Sequence, residues 1–185
     1  MKWEISGGSA FPVLKFTLNA GESIKSQAGA MVAVGGGLTL EGKVDGGVFK
    51  AIGRMFSGES FFMQHVIADA GGGWALLASP APGSITEVEI KPGTELTVQK
   101  SGFLAGTSGI EVSSKVQSLA RGFFSGEGFF VVKLTGAGAA FLSTYGEAQT
   151  LDIAAGESIA IDNGHLITWE SSLAYEITKA ASSWF

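Results

Sequence analysis

The sequence predicts an all-β protein of repeated antiparallel modules, and three observations carry that expectation. A turn motif recurs in three segments, each flanked by residues that alternate apolar and polar. A seven-residue block is doubled with six of its seven positions identical. The chain also holds 28 glycines and 13 phenylalanines with only 16% charged residues, a balance that suits short strands joined by tight turns better than long charged helices.

In chain order, the first turn segment is Phe16-Thr17-Leu18-Asn19-Ala20-Gly21-Glu22-Ser23-Ile24. The second is Val88-Glu89-Ile90-Lys91-Pro92-Gly93-Thr94-Glu95-Leu96, and the third is Leu151-Asp152-Ile153-Ala154-Ala155-Gly156-Glu157-Ser158-Ile159. Each reads as a strand with period two, a glycine free to adopt positive φ, and a restarting strand, so each is expected to form a half-buried hairpin. A polar residue follows at Gln27, Gln99 and Asp162, and another glycine shortly after at Gly29, Gly102 and Gly164.

The doubled block is Phe56-Ser57-Gly58-Glu59-Ser60-Phe61-Phe62 and Phe124-Ser125-Gly126-Glu127-Gly128-Phe129-Phe130. A strand, a glycine turn and an apolar strand are expected after each copy, ending in Trp74–Ala78 and Ala140–Leu142. Ahead of each copy, Phe49, Ile52 and Phe56, and Val116, Leu119 and Phe123, follow the three-and-four spacing of a short amphipathic helix. The expected organisation is one β-repeat domain over 1–185 with units near 11–83, 84–149 and 150–185, the third reaching Phe185 before its own Ser-Gly-Glu block.

Composition narrows the functional classes. Twelve basic residues against 17 acidic ones leave a net charge of −5, which disfavours a general electrostatic grip on nucleic acid. Cysteine is absent, so disulfides and thiolate chemistry are excluded. The apolar runs are too short for a membrane-spanning helix, and Met1–Gly7 carries an acid and no apolar leader, so a cytoplasmic protein is expected.

Four stretches together resemble the bacterial relatives of the altered-inheritance-of-mitochondria protein 24 family: Gly7–Leu14, Gln27–Val32, the doubled Ser-Gly-Glu-x-Phe-Phe block and Gly156–Leu166. The likeness runs the length of the chain. It implies a fold similar to the tryptophan RNA-binding attenuation protein, a short double-stranded β-helix with several modules per chain. It also implies a homo-oligomer, a trimer with its modules in a pseudo-symmetric ring. The family has no established molecular activity, and its fungal mitochondrial member is linked to inner-membrane organisation.

Candidate chemistry is sparse. Glu22 and Glu157, and Glu59 and Glu127, are acids at repeated positions, and a solvated turn residue explains them more simply than an acid–base pair or a hard-cation site. With only His65 and His165, a three-histidine metal site cannot be built within one chain. His165 is read in the slot of Ala30 and Phe103, as a turn or strand histidine. The Gly35–Gly37, Gly46–Gly47 and Gly71–Gly73 clusters lack the Gly-Lys-Ser/Thr ending of a phosphate loop and read as strand turns. No catalytic, cofactor or metal site is assigned.

The remaining candidate is an interaction surface of Phe49, Lys50, Ile52, Arg54, Phe56, Leu119, Arg121 and Phe123. These mix basic and apolar side chains as a helix does when it docks on a membrane surface or a protein partner. The expected function is a non-enzymatic, self-associating scaffold or interaction protein, cytoplasmic, with association at a membrane surface as a further option. A small-ligand or RNA-binding module is the alternative, and an enzyme the least favoured.

Overall fold

The computed structural model describes residues 1–8, 10–44, 62–113, 131–162 and 164–176. All eight residues of the candidate interaction surface lie outside this set, as do Glu59 and Glu127. The regular structure of the described residues is all strand apart from one short 3-10 turn at Lys100–Gly102.

The first strands are β1 (Lys2–Ser6), β2 (Val13–Leu18), β3 (Ser23–Gln27), β4 (Met31–Val44) and β5 (Phe62–Ala78). In β2 the alternation does what period two requires: Leu14, Phe16 and Leu18 are buried while Lys15 and Thr17 face water. Strands β2 and β3 do not pair with each other, contrary to the hairpin expected from the Gly21 turn. Both lie antiparallel on β5, β2 on its second half (Val13 opposite Ala78) and β3 on its first (Gln27 opposite Met63). The turn is therefore a corner, and β5 rounds the same corner without breaking. Along its other edge β5 pairs with β4, whose register shifts at Gly36.

The glycine clusters Gly35–Gly37 and Gly71–Gly73 thus sit inside long strands and bend them, where the sequence suggested turns between strands. Gly72 shows why glycine is needed there. It has φ +66, and a Cβ on it would lie 2.6 Å from the carbonyl oxygen of Leu18 on the neighbouring strand. Backbones pass at this bend with no space for a side chain.

The next strands are β6 (Ile85–Ile90), β7 (Leu96–Gln99), β8 (Phe103–Thr107), β9 (Ile110–Ser113), β10 (Val131–Gly136) and β11 (Gly138–Ser143). Their pairing follows the same scheme. β6 and β8 flank β11, while β7 and β9 flank β10. The break at Ala137 lies where β5 bends. Matching registers makes Phe103, opposite Leu142, the counterpart of Met31, opposite Leu77. His165 consequently corresponds to Ala30 and Gly102, and Leu166 takes the Phe103 position, a one-residue correction to the slot read from sequence.

The two sets join through β3 and β8, with Ile24 opposite Thr107, Lys25 opposite Gly106 and Ser26 opposite Ala105. Lys25 reinforces the seam by donating from Nζ to the Ile110 carbonyl at 2.6 Å. β12 (Thr168–Glu170) repeats this junction on β7, with Thr168 opposite Val98 and Glu170 opposite Leu96. Hydroxyls clasp it: Thr168 Oγ1 donates to the Thr97 carbonyl at 2.9 Å, and Thr97 and Ser171 share a 2.6 Å hydrogen bond.

Two apolar clusters form the core. One gathers Leu14, Phe16, Leu18, Ile24 and Leu77 with Leu104 and Phe141, so residues from both sets share it. The other holds Val98, Phe103, Ile110 and Leu134, and takes Met63 from β5. Among these apolar positions Ser26 is buried, and its Oγ makes no hydrogen bond among the described residues. Its counterpart on β7 is Val98. A buried hydroxyl with no partner is destabilising, so Ser26→Ala is expected to raise stability by about 1 kcal/mol. Urea unfolding would show this as a higher midpoint at unchanged slope, and a lowered midpoint would mean the hydroxyl is paired after all.

Candidate functional site

The repeated turns are built alike, and their acids have a structural task. Gly21, Gly93 and Gly156 have φ of +77, +84 and +86, as the third residue of a type II turn requires. Each following amide closes the turn onto the carbonyl three residues back: Glu22 to Asn19 at 3.1 Å, Thr94 to Lys91 at 3.0 Å and Glu157 to Ala154 at 3.0 Å. The side chain then reaches back too. Glu22 Oε2 accepts from the Asn19 amide at 2.8 Å, Thr94 Oγ1 from the Lys91 amide at 3.0 Å and Glu157 Oε2 from the Ala154 amide at 3.3 Å.

A hydroxyl can replace the carboxylate because the position needs an acceptor, not a charge. Glu22 carries a further contact, a 2.5 Å ion pair with the Met1 amino group. That amino group, followed by the Asn19 amide, holds the Glu22 carboxyl below the usual carboxylate range. Glu22 and Glu157 close separate turns and make no common site.

Neither histidine sits in a cluster of metal-ligating side chains among the described residues. His165 is exposed, with its amide bonded to the Asp162 carbonyl at 2.9 Å and its Nδ1 lying 3.5 Å from Asp162 Oδ1, a local turn contact. His65 lies within β5, opposite Lys25 on one side and Glu41 on the other. Among the described residues no group of three or more His, Cys, Asp or Glu side chains could hold a metal ion. No described helix is long and apolar enough to cross a membrane.

What remains unmatched is a pair of sheet edges. Among the described residues β4 pairs with β5 along one side only, and its outer edge displays Val32 and Val34. Val32 is 55% exposed, whereas its counterpart Leu104 on β8 is 1% exposed, because β8 has β3 beside it and β4 has no such neighbour among the described residues. Trp74 covers the inner side of this edge. It stands opposite Gly35, where a Cβ would fall 2.5 Å from the indole, and it carries Lys15 Nζ 5.6 Å from its ring centroid.

The second exposed apolar site is the stretch Ile159–Ile161, which follows the Gly156 turn and belongs to no assigned strand. Ile159 is 46% exposed although its counterpart Ile24 is fully buried, and Ile161 stands where the other sets bury Ser26 and Val98. Among the described residues no strand pairs with the outer edge of β4 or with the Ile159–Ile161 stretch. The interaction surface expected from the sequence, the eight residues named from Phe49 to Phe123, lies outside the described residues. A signal was available, since Ile159 and Ile161 align with the buried Ile24 and Ser26 of the first unit.

Sheets that pair by antiparallel edges, with structural acids and apolar rims, define an all-β protein whose distinguishing surface is its strand edges. The chain belongs to the mitochondrial biogenesis AIM24 family, whose profile matches residues 3–185. An uncharacterised protein of Streptococcus pyogenes serotype M6 is 31% identical over 185 residues, covering 96% of this chain and 73% of that one. A crystal structure of a Streptococcus pyogenes protein superposes with a TM-score of 0.78 at 29% identity, covering 98% of this chain and 81% of the other. The solved relative accordingly shares the antiparallel all-β fold.

Proposed function

We propose that the protein is a non-enzymatic β-repeat protein that self-associates and serves as a scaffold or interaction module. The observation that carries this reading is the contrast in burial at equivalent positions: Val32 and Ile159 are exposed where Leu104 and Ile24 are buried by a strand junction. Open apolar edges are a liability that proteins cover, and covering them with another chain yields defined assembly. The repeated acids fit the same reading, because Glu22 and Glu157 are occupied in closing turns. The resemblance to ring-forming relatives favours a trimer.

Multi-angle light scattering at micromolar concentration is expected to give a mass at least twice that of the 19.0 kDa chain, with three times favoured. A stable monomer across that range overturns the reading.

A further inference from the structure

We propose that the end of the molecule formed by the loops 10–12, 79–84 and 144–148 rests on a zwitterionic lipid surface, with Phe11 and Tyr145 entering the headgroup region. This goes beyond the self-association proposed above and does not depend on it.

The pairings bring the three loops to one place. Val13 lies opposite Ala78 and Ile85 opposite Ser143, so each loop leaves or enters a strand pair at its terminal rung. Backbone bonds then tie loop to loop: the Gly83 amide donates to the Ala10 carbonyl at 2.8 Å, and the Gly146 amide to the Pro82 carbonyl at 3.2 Å. Hydroxyls complete the platform. Ser84 Oγ lies 2.8 Å from Thr144 Oγ1 and accepts from the Ala148 amide at 3.1 Å, while Thr144 Oγ1 donates to the Gly146 carbonyl at 2.7 Å.

On this platform two aromatic side chains point into water. Tyr145 is 82% and Phe11 64% exposed, the two most exposed of the large apolar side chains among the described residues. The composition around them suits lipid. Residues 10–14, 78–85 and 142–150 include one charged side chain, Glu147. Three of the chain's four prolines, Pro12, Pro80 and Pro82, lie here and bring no N–H to desolvate. The bonds just described pair further backbone groups within the platform. This end therefore approaches a bilayer without stranding a row of charges or open backbone groups in a poorly hydrated layer.

Phenylalanine supplies apolar area, and tyrosine supplies a ring with a hydroxyl that stays at the level of water, the side-chain chemistry of membrane interfaces. Charge then selects the lipid. These loops carry no Lys or Arg, and the chain has a net charge of −5, so an anionic surface repels it where a zwitterionic one does not. A basic amphipathic helix would show the opposite preference.

Flotation of the full chain with phosphatidylcholine vesicles is expected to carry protein to the lipid layer, and adding phosphatidylglycerol is expected to reduce the bound fraction. Phe11→Ser combined with Tyr145→Ser should weaken binding about tenfold or more, the scale for withdrawing two such side chains from an apolar medium. Its thermal melt should stay near the parent's, because both residues are exposed. Leu40→Ser, at an exposed apolar residue of β4 outside these loops, should bind as the parent does. Phe11→Trp should add emission that brominated phosphatidylcholine quenches beyond the parent's background, and Leu40→Trp should not.

No flotation on either vesicle overturns the proposal. Binding that requires phosphatidylglycerol, or that survives the double serine variant, places the contact elsewhere and overturns it too. A chain that ignores vesicles but loses a pulled-down protein on the same double substitution assigns this end to a protein partner instead of lipid.

Discussion

Phe141→Ala is expected to destabilise the protein by about 4 kcal/mol, the range for emptying a fully buried aromatic site. Phe141 lies on β11, yet it packs into the cluster built mainly from β2, β3 and β5. Its ring meets Phe16 edge-on at 5.2 Å and 90°, and Trp3 at 5.7 Å and 78°. Edge-to-face pairs add about 1 kcal/mol beyond the area they bury, and this ring makes two of them. Trp3 is itself tied across the seam, its indole N–H donating to Glu87 Oε2 on β6 at 2.9 Å.

Removing the Phe141 ring therefore loosens the joint between the two sets of strands as well as one core. Chemical denaturation should show a large fall in midpoint, and Phe141→Leu should recover more than half of it. A loss below about 1 kcal/mol would mean that the joint does not depend on this ring. Phe16→Ala combined with Phe141→Ala should cost less than the two single losses together, since each removes the other's partner.

Gly72→Ala is expected to cost roughly 3 kcal/mol, combining the left-handed backbone penalty for a residue with Cβ and the displacement of a neighbouring strand. At φ +66 the added carbon would sit 2.6 Å from the Leu18 carbonyl oxygen, which is backbone and can yield only if β2 moves. Gly71→Ala is the matched control, because a Cβ there meets nothing within 4 Å. Thermal melts of the two variants should separate clearly, with Gly71→Ala near the parent. Equal melting temperatures would show that the bend tolerates a side chain.

Much of the local structure was legible because it depends on neighbouring residues. Period-two alternation marks β2, and the Ala-Gly or Pro-Gly pairs at Ala20-Gly21, Pro92-Gly93 and Ala155-Gly156 mark type II turns. The partners of those strands were not legible. A turn hydrogen bond such as Glu22 to Asn19 is the same whether the flanking strands pair with each other or both lie on a third, and here the third strand begins only at Phe62.

The glycine clusters misled for a related reason: Gly36 and Gly72 bend continuous strands whose continuity is secured by β-partners remote in sequence. The unpaired edges were obscured because Ile159 and Ile161 look like any core alternation until the strands beside their counterparts are known. The eight basic and apolar candidates from Phe49 to Phe123 lie outside the described residues.

The corner arrangement also sets a timetable. β2 can pair early with β1, but β2 and β3 have no partner in each other, so the corner between them cannot settle as a local hairpin while it is being made. It waits for β5, and Val13 must wait until Ala78 has emerged. The seam between β3 and β8 comes later still, when Thr107 arrives to meet Ile24. Pairings this distant close slowly, on the millisecond-to-second scale typical of β proteins, so apolar strands synthesised early remain open to other chains for that interval.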